Sequence, residues 1–197
     1  GNTMTIKPVV NAKNLDGNTL SVLVASMTAL ERNGMVKEAM TLRTKVLEAK
    51  SYDEALFFMM EMMRDTDYAF WASSEAVKTG LPVWIGVSAE RGKDGKLYGW
   101  GRPDCAFEDV VRKLSVLKPD VMSVMHTSVN DTDEAIAILR RHWDGPIATY
   151  PECGYFKSPN WEFVDVITPS DLLAKSRDWQ KLGASAFGGC CGLGADH

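Results

Sequence analysis

Residues 120–150 have the sequence DVMSVMHTSVNDTDEAIAILRRHWDGPIATY, which carries the clearest structural signal in the chain. Asp120 to Met125 is a short apolar run and predicts a buried strand. Asp131, with Glu134 one helical turn later, has the form of an N-terminal capping box, so a helix is predicted to begin there. Ile147 to Tyr150 is a second apolar run and predicts another strand. The stretch is therefore predicted as strand, helix and strand.

The same alternation continues on both sides of this stretch. Leu81 to Val87 predicts a strand, and Asp104 to Leu117 has apolar residues at helical spacing. Thr168 followed by Pro169 predicts the start of a later helix, and Ala184 to Phe187 predicts the last strand. Strands that alternate with helices predict an α/β fold with a parallel sheet, either doubly wound or a barrel. Because these strands are almost continuously apolar, we expect both faces of the sheet to be covered.

The first half of the chain gives weaker predictions. Asn18 to Ser26 predicts a strand, and Ser51 predicts the start of a helix that runs to about Arg64. Asp67 to Trp71 predicts another strand, which leaves only residues 72–80 for the connection to the next one. A parallel connection needs about a dozen residues or more, so either its helix is stunted or residues are missing near that point, and we favour the second. The inner face of the earlier helix is predicted to carry Leu56, Met59, Met62 and Met63.

Composition limits the possible classes of function. The chain has 197 residues, of which 45% are hydrophobic, so we expect a single domain spanning residues 1–197. The net charge is −4 and no basic run is present, which argues against partners such as nucleic acid or an anionic membrane surface. No apolar stretch approaches the roughly 20 residues that span a bilayer, and the first residues lack the pattern of a secretory signal. We therefore expect a cytoplasmic protein that acts on small molecules, in an oligomeric state that the composition does not fix.

Cysteine usage indicates a metal site. The chain has 4 cysteines and 3 histidines. Cys190 and Cys191 are adjacent, an arrangement that disfavours a disulfide framework. They lie in the segment GGCCG (188–192), directly after the last predicted strand. Two thiolates beside glycines could form half of a zinc site; the alternative is that two small buried residues fill a tight turn.

The segment GGCCG, followed by ADH (195–197), resembles the C-terminal signature GGCCGTTPEHI of the homocysteine S-methyltransferase family. Residues 164–192 resemble the last helix and strand of that family, and LPVWIGVS (81–88) resembles its GLPVWVSF strand. Residues 2–8 resemble its NTF.T.P segment. The resemblance covers nearly the whole chain and is strongest from residue 80 onward.

This resemblance implies a (β/α)8 TIM barrel, here incomplete, because the family's first strand with its DGG element and a Glu-Thr pair expected after Trp71 are absent. It implies a methyltransferase with Zn²⁺ as its cofactor, held at the C-terminal mouth of the barrel by the cysteine pair and by a third cysteine in a VNCT motif. The thiol of homocysteine takes the open position on the metal. It attacks the methyl group of a small sulfonium or ammonium donor, which gives methionine.

The sequence departs from the family's pattern at the third ligand. Val124-Met125-His126-Thr127 stands in the place of VNCT, so His126 takes the position of the third cysteine. A Cys₂His set with one open position is a known catalytic zinc arrangement, but its one missing negative charge is expected to make a bound thiolate less nucleophilic and easier to form. His126 is alternatively an ordinary strand-end histidine, or Cys153, in the loop matching the family's YPNSGE, is the third ligand. The candidate substrate-binding residues around these ligands are Gly188, Gly189, Thr127, Tyr150 and Glu152.

Two other functions remain open on the same residues. A zinc-dependent hydrolase would use a water molecule bound by His126, Cys190 and Cys191, with Glu152 as the local candidate for a general base. A degenerate barrel would bind a ligand without turnover and would hold no stoichiometric zinc.

Overall fold

The computed structural model describes residues 23–24, 27–28 and 30–197 of the chain. Its helices are α1 (Val36–Leu47), α2 (Tyr52–Met63), α3 (Thr66–Val77), α4 (Phe107–Ser115), α5 (Val129–Arg140) and α6 (Pro169–Lys181). Its strands are β1 (Trp84–Val87), β2 (Ala89–Arg91), β3 (Leu97–Gly99), β4 (Arg102–Ala106), β5 (Val121–Ser128), β6 (Ile147–Glu152), β7 (Gly154–Lys157), β8 (Asn160–Phe163) and β9 (Ala184–Phe187). Residues 2–8 and most of the strand predicted at 18–26 lie outside the described residues; Leu23 and Val24 are helical, so that strand prediction is wrong where it can be compared.

Four strands form a parallel sheet in the spatial order β1, β5, β6, β9. This order equals the order along the chain, with α4, α5 and α6 between successive strands. Because parallel connections are right-handed, an order without reversal carries the connecting helices to one face of the sheet. The predicted α/β fold with a parallel sheet is confirmed. A strand order without reversal is typical of a barrel, whereas a doubly wound sheet reverses at a switch point.

The main core lies between this sheet and its helices. Strands and helices both contribute side chains that are at most 1% exposed: Met122, Ile147, Phe107, Leu139 and Trp179. The opposite face is less well covered, because β1 alternates between buried Ile85 and Val87 and outward-facing residues, of which Trp84 is 57% exposed. Within the described residues the expected cover on both faces is therefore incomplete.

Side-chain caps set two of the helix starts as predicted, at Ser51 and at Thr168. Ser51 Oγ accepts a hydrogen bond from the backbone N–H of Glu54 (3.0 Å), and Thr168 Oγ1 accepts one from Asp171 (3.2 Å) with Pro169 at the first helical position. The capping box predicted at Asp131 is wrong: α5 begins at Val129, and Ser128 Oγ caps it by accepting from the N–H of Asn130 (3.2 Å).

The strand predicted at 67–71 is also wrong, because these residues lie inside α3. Asp65 caps this helix, and its carboxylate accepts hydrogen bonds from the backbone N–H groups of Asp67 (2.9 Å) and Tyr68 (3.3 Å). A short aromatic run does not distinguish strand from helix by itself, and the cap selects the helix. Because no strand lies at 67–71, the short stretch of residues 72–80 does not have to form a parallel connection; the expectation of missing residues near Trp71 stays a prediction.

Two antiparallel ribbons follow the parallel strands and were not predicted. The first pairs β2, β3 and β4 after β1, and the second pairs β7 with β8 after β6. The helix predicted from Asp104 begins only at Phe107, because residues 102–106 belong to the first ribbon. Each ribbon extends from the carboxyl end of a parallel strand, so both lie at the same end of the sheet.

A second cluster of buried residues joins the first helices to one another. Leu42 and Val46 of α1 are 1% exposed and pack with Met59 of α2, which is 3% exposed. Met62 is half-buried against this cluster, as predicted for a core face, while the side chains of Leu56 and Met63 lie outside the described set. No helix in the part of the chain that the structure describes is long and apolar enough to cross a membrane.

Adjacent leucines in α6 provide a test of the core. Leu172 is 6% exposed and belongs to the main cluster, whereas Leu173 is 54% exposed. We expect Leu172→Ala to lower the free energy of unfolding by about 2–5 kcal/mol, because it removes buried methyl groups and leaves a cavity. Leu173→Ala is the matched control and should change it by less than about 0.5 kcal/mol. Equal losses in urea unfolding would contradict this assignment of the buried face of α6.

Candidate metal centre

The carboxyl ends of β5, β6 and β9 meet at one edge of the parallel sheet, with β6 in the middle. Backbone hydrogen bonds continue the pairing of β6 beyond the end of β9. The N–H of Gly188 donates to Thr149 O, the N–H of Cys190 donates to Pro151 O, and the N–H of Cys153 donates to Cys191 O, each at 2.9 Å. The GGCC segment is therefore held along β6, within reach of β5.

Two glycines allow the chain to turn sharply around the cysteine pair. A Cβ atom at Gly189 would lie 2.5 Å from the carbonyl oxygen of Leu193, and one at Gly192 would lie 2.6 Å from that of Cys153. Gly192 also has φ +81°, a conformation that side chains disfavour. Gly189 and Gly192 are thus required by the backbone, independently of any role of the cysteines.

A β-bulge in β5 directs His126 toward the cysteine pair. Met125 is opposite Tyr150 and Ser128 is opposite Glu152, so β5 has one more residue than β6 between these two pairs. His126 lies in this bulge with φ +45°, which is uncommon for a residue other than glycine. Bulges of this kind re-aim side chains near functional sites. The side chain of His126 is completely buried.

The structure brings together the three residues predicted as ligands. The ligand atoms of His126, Cys190 and Cys191 all lie within 4.8 Å of one another, and the two sulfurs are 3.8 Å apart. In a tetrahedral zinc site with Zn–S bonds of about 2.3 Å, two sulfurs are separated by about 3.8 Å. All four cysteines lie in the described region and are free thiols. Donor types and spacing therefore fit a zinc ion with one position left open.

The three side chains shift one another's pKa values. Burial lowers the pKa of His126, but the neighbouring Cys190 and Glu152 outweigh that effect and raise it to about 9. A hydrogen bond from the thiol of Cys191, against the opposing effect of burial, together with the imidazole, lowers the pKa of Cys190 to about 4. The same hydrogen bond and burial raise the pKa of Cys191. The surroundings thus favour the thiolate form of Cys190 over that of Cys191.

The runner-up ligand lies outside this cluster. Cys153 is 9% exposed and its backbone joins the pairing with Cys191. Among the described residues, however, the group that could hold a metal ion consists of His126, Cys190 and Cys191. The geometry therefore favours His126 over Cys153 as the third ligand.

The predicted substrate-binding residues have different surroundings. The hydroxyl of Thr127 donates to Met125 O (2.8 Å) and accepts from the N–H of Ala89 (3.0 Å), so both contacts are internal. The hydroxyl of Tyr150 lies 3.4 Å from the sulfur of Met125. The carboxylate of Glu152 is in contact with Nδ1 of His126. Gly188 and Gly189 precede the cysteines, and their substrate-binding role stays a prediction.

Sequence reasoning missed the aromatic residues around His126. The rings of Trp100 and Trp161 lie 4.9 Å and 4.8 Å from the imidazole, in edge-on orientations of 71° and 82°. No local signal in the sequence marks them, because their positions depend on the two ribbons, which were not predicted.

A cavity of about 310 Å³ adjoins this cluster on the side of Glu152. Its lining includes four aromatic residues, three carboxylates and one cation: Phe57, Trp100, Tyr155, Trp161, Glu90, Asp131, Glu152 and Arg91. The surplus of carboxylates over cations gives the cavity wall a net negative charge. Aromatic side chains and carboxylates together favour a small cationic ligand.

Comparison with known proteins agrees with these features. The sequence profile of the homocysteine S-methyltransferase family matches residues 17–197. A protein of Zea mays, Homocysteine S-methyltransferase 1, is 30% identical over 121 residues, which cover 59% of this chain and 36% of the relative. The match thus spans about a third of the length of this curated relative. Because the family profile covers most of the chain, the chain belongs to the homocysteine S-methyltransferase family.

Proposed function

We propose that this protein transfers a methyl group from a small sulfonium or ammonium donor to the thiol of homocysteine, giving methionine, with zinc held by His126, Cys190 and Cys191. The observation that carries the proposal is the convergence of these three ligand atoms within 4.8 Å of one another, at one edge of the parallel sheet. The family membership supports the reaction class. The strand order without reversal supports a place for this sheet in a (β/α)8 barrel.

The protein's own groups would hold the metal and leave one position for the acceptor. Cys190 and Cys191 would contribute two thiolates, and His126 would contribute a neutral imidazole nitrogen. Bound zinc would keep the thiol of homocysteine deprotonated near neutral pH and so make it a nucleophile. Because a histidine replaces a third thiolate, the centre carries less negative charge, and the acceptor thiolate forms more readily but attacks less strongly.

The cavity beside Glu152 supports a positively charged methyl donor. The sulfonium or ammonium group of such a donor carries one positive charge, which the surrounding aromatic rings and carboxylates stabilise. Tyr150, Gly188 and Gly189 are proposed contacts for the acceptor. Methyl transfer then depends on alignment of the two substrates for in-line attack, which the rigid ends of the strands provide.

A hydrolase using zinc-bound water is less well supported. That reaction needs a carboxylate free to accept a proton from water, and the candidate, Glu152, is already in contact with His126. The observation therefore favours thiol activation over water activation at this cluster.

The proposed ligand set predicts the metal content of cysteine variants. We expect the purified protein to contain about one zinc per chain, and Cys190→Ser and Cys191→Ser each to lose most of it, because each removes one of the few ligands of the site. Cys153→Ser is the matched control and should keep its zinc, since Cys153 lies outside the cluster. Elemental analysis of the dialysed proteins measures the outcome. Retention of zinc by both variants of the pair, or its loss from Cys153→Ser alone, would contradict the ligand set.

The proposed reaction predicts a defined product. Zinc-loaded protein incubated with homocysteine and either S-methylmethionine, S-adenosylmethionine or betaine should produce methionine, detected by mass spectrometry. Removal of the metal with a chelator should abolish the product, because the acceptor thiol is then protonated in most molecules at neutral pH. Zinc-loaded protein that is inactive with all three donors would argue for a degenerate, ligand-binding domain.

A further inference from the structure

His126 and Glu152 form a buried contact that the proposed ligand set does not explain. Nδ1 of His126 lies against Oε2 of Glu152, and their side chains are 0% and 11% exposed. Over the residues that the structure describes, neither these two atoms nor Nε2 of His126 complete a hydrogen bond of good geometry. Burial of a carboxylate is costly unless it has a partner, so the imidazole is the partner that this arrangement provides.

Among the contacts of the His126 ring, the one with Glu152 determines which way round the imidazole lies. Trp100 and Trp161 contact the imidazole edge-on at 4.9 Å and 4.8 Å, which restricts tilting of the ring. A half-turn of the ring about its bond to Cβ would exchange the positions of nitrogen and carbon atoms while keeping the same packing. The carboxylate distinguishes these two orientations, because it can accept a hydrogen bond from Nδ1 but not a comparable one from carbon.

We propose that Glu152 is a positioning residue, which accepts the Nδ1–H hydrogen bond of His126 and thereby directs the lone pair of Nε2 at the metal. The inference rests on the metal centre of the proposed function and adds a residue outside the ligand set. Histidine ligands commonly donate their second N–H to a carboxylate, which fixes the tautomer and makes the imidazole a stronger donor.

The charge of the cluster supports the same role. Two thiolates neutralise a divalent cation, and a neutral imidazole adds no charge. Glu152 then supplies a third negative charge one ring away from the metal. A carboxylate in that position compensates in part for the missing charge of a third thiolate and does not itself occupy a coordination position.

The test uses cobalt(II), whose absorption reports thiolate ligation and tetrahedral geometry without reference to activity. Apparent affinities for cobalt are measured by competition with a chelator in the wild-type protein, in Glu152→Gln and in Glu152→Ala. We expect the affinity to fall about 10-fold in Glu152→Gln, which keeps an acceptor but loses the charge, and by up to about 100-fold in Glu152→Ala. The thiolate-to-cobalt band should persist in Glu152→Gln, because both cysteines remain.

A second histidine–glutamate pair provides the matched control. Glu108 contacts Nε2 of His142 at 2.7 Å and is partly exposed, away from the cysteine pair. Glu108→Gln makes the same chemical change and should leave the cobalt affinity unchanged. A loss of affinity in both Gln variants alike would show a general electrostatic effect and would overturn the assignment to Glu152.

The remaining outcomes separate this inference from the proposed function. Wild-type protein that binds cobalt through its thiolates, with unchanged affinity in Glu152→Gln and Glu152→Ala, would overturn the role of Glu152 and leave the metal centre intact. Wild-type protein that binds no cobalt would overturn both. If the Glu152 variants do not fold, long-range ¹H–¹⁵N spectra of the zinc-loaded wild type decide instead: protonated Nδ1 with metal-bound Nε2 supports the role, and metal-bound Nδ1 rejects it.

Discussion

The pairing of β6 with the segment after β9 is the constraint on which the rest of the site depends. The N–H groups of Gly188 and Cys190 donate to carbonyl oxygens of β6, and the carbonyl of Cys191 accepts from Cys153. A mobile pair of thiols would lose conformational freedom each time it bound a metal. Here the backbone is ordered when the sheet forms, so most of that entropic cost falls on folding rather than on metal binding.

On the β5 side of the site, the backbone of His126 is strained. A left-handed conformation of a non-glycine residue costs about 1–3 kcal/mol, and the bulge also interrupts the pairing of β5 with β6. Contacts with Trp100 of the first ribbon, Trp161 of the second ribbon and Glu152 of β6 offset this cost. His126, which is both the strained residue and the candidate ligand, is thus the point where the two ribbons, β5 and β6 meet.

The sequence predicts those parts of the structure that short-range chemistry determines. Ser51 and Thr168 cap their helices with their own side chains. The position of GGCCG after a predicted strand, together with the family resemblance, marks Cys190 and Cys191 as candidate ligands. The strand prediction at 67–71 was wrong because the residue that selects a helix there, the N-terminal cap Asp65, lies before the aromatic run. Trp100, Trp161 and the contact of Glu152 with Nδ1 could not be predicted, because they depend on the bulge and on ribbons whose packing is set by distant residues.

Some residues whose spacing predicts a helix cap form contacts with residues distant in the sequence instead. Asp131 and Glu134 have the spacing of a capping box, but their carboxylates form ion pairs with Arg91 of β2, each at 2.7 Å. Thr127, next to the candidate ligand, accepts a hydrogen bond from the N–H of Ala89 at the start of the same ribbon. These contacts fasten the first ribbon to the end of β5 and the start of α5, which is what brings Trp100 against His126. A substitution of Arg91 would therefore change the position of Trp100, and through it the surroundings of His126. Arg91 itself pairs with Asp131 and Glu134.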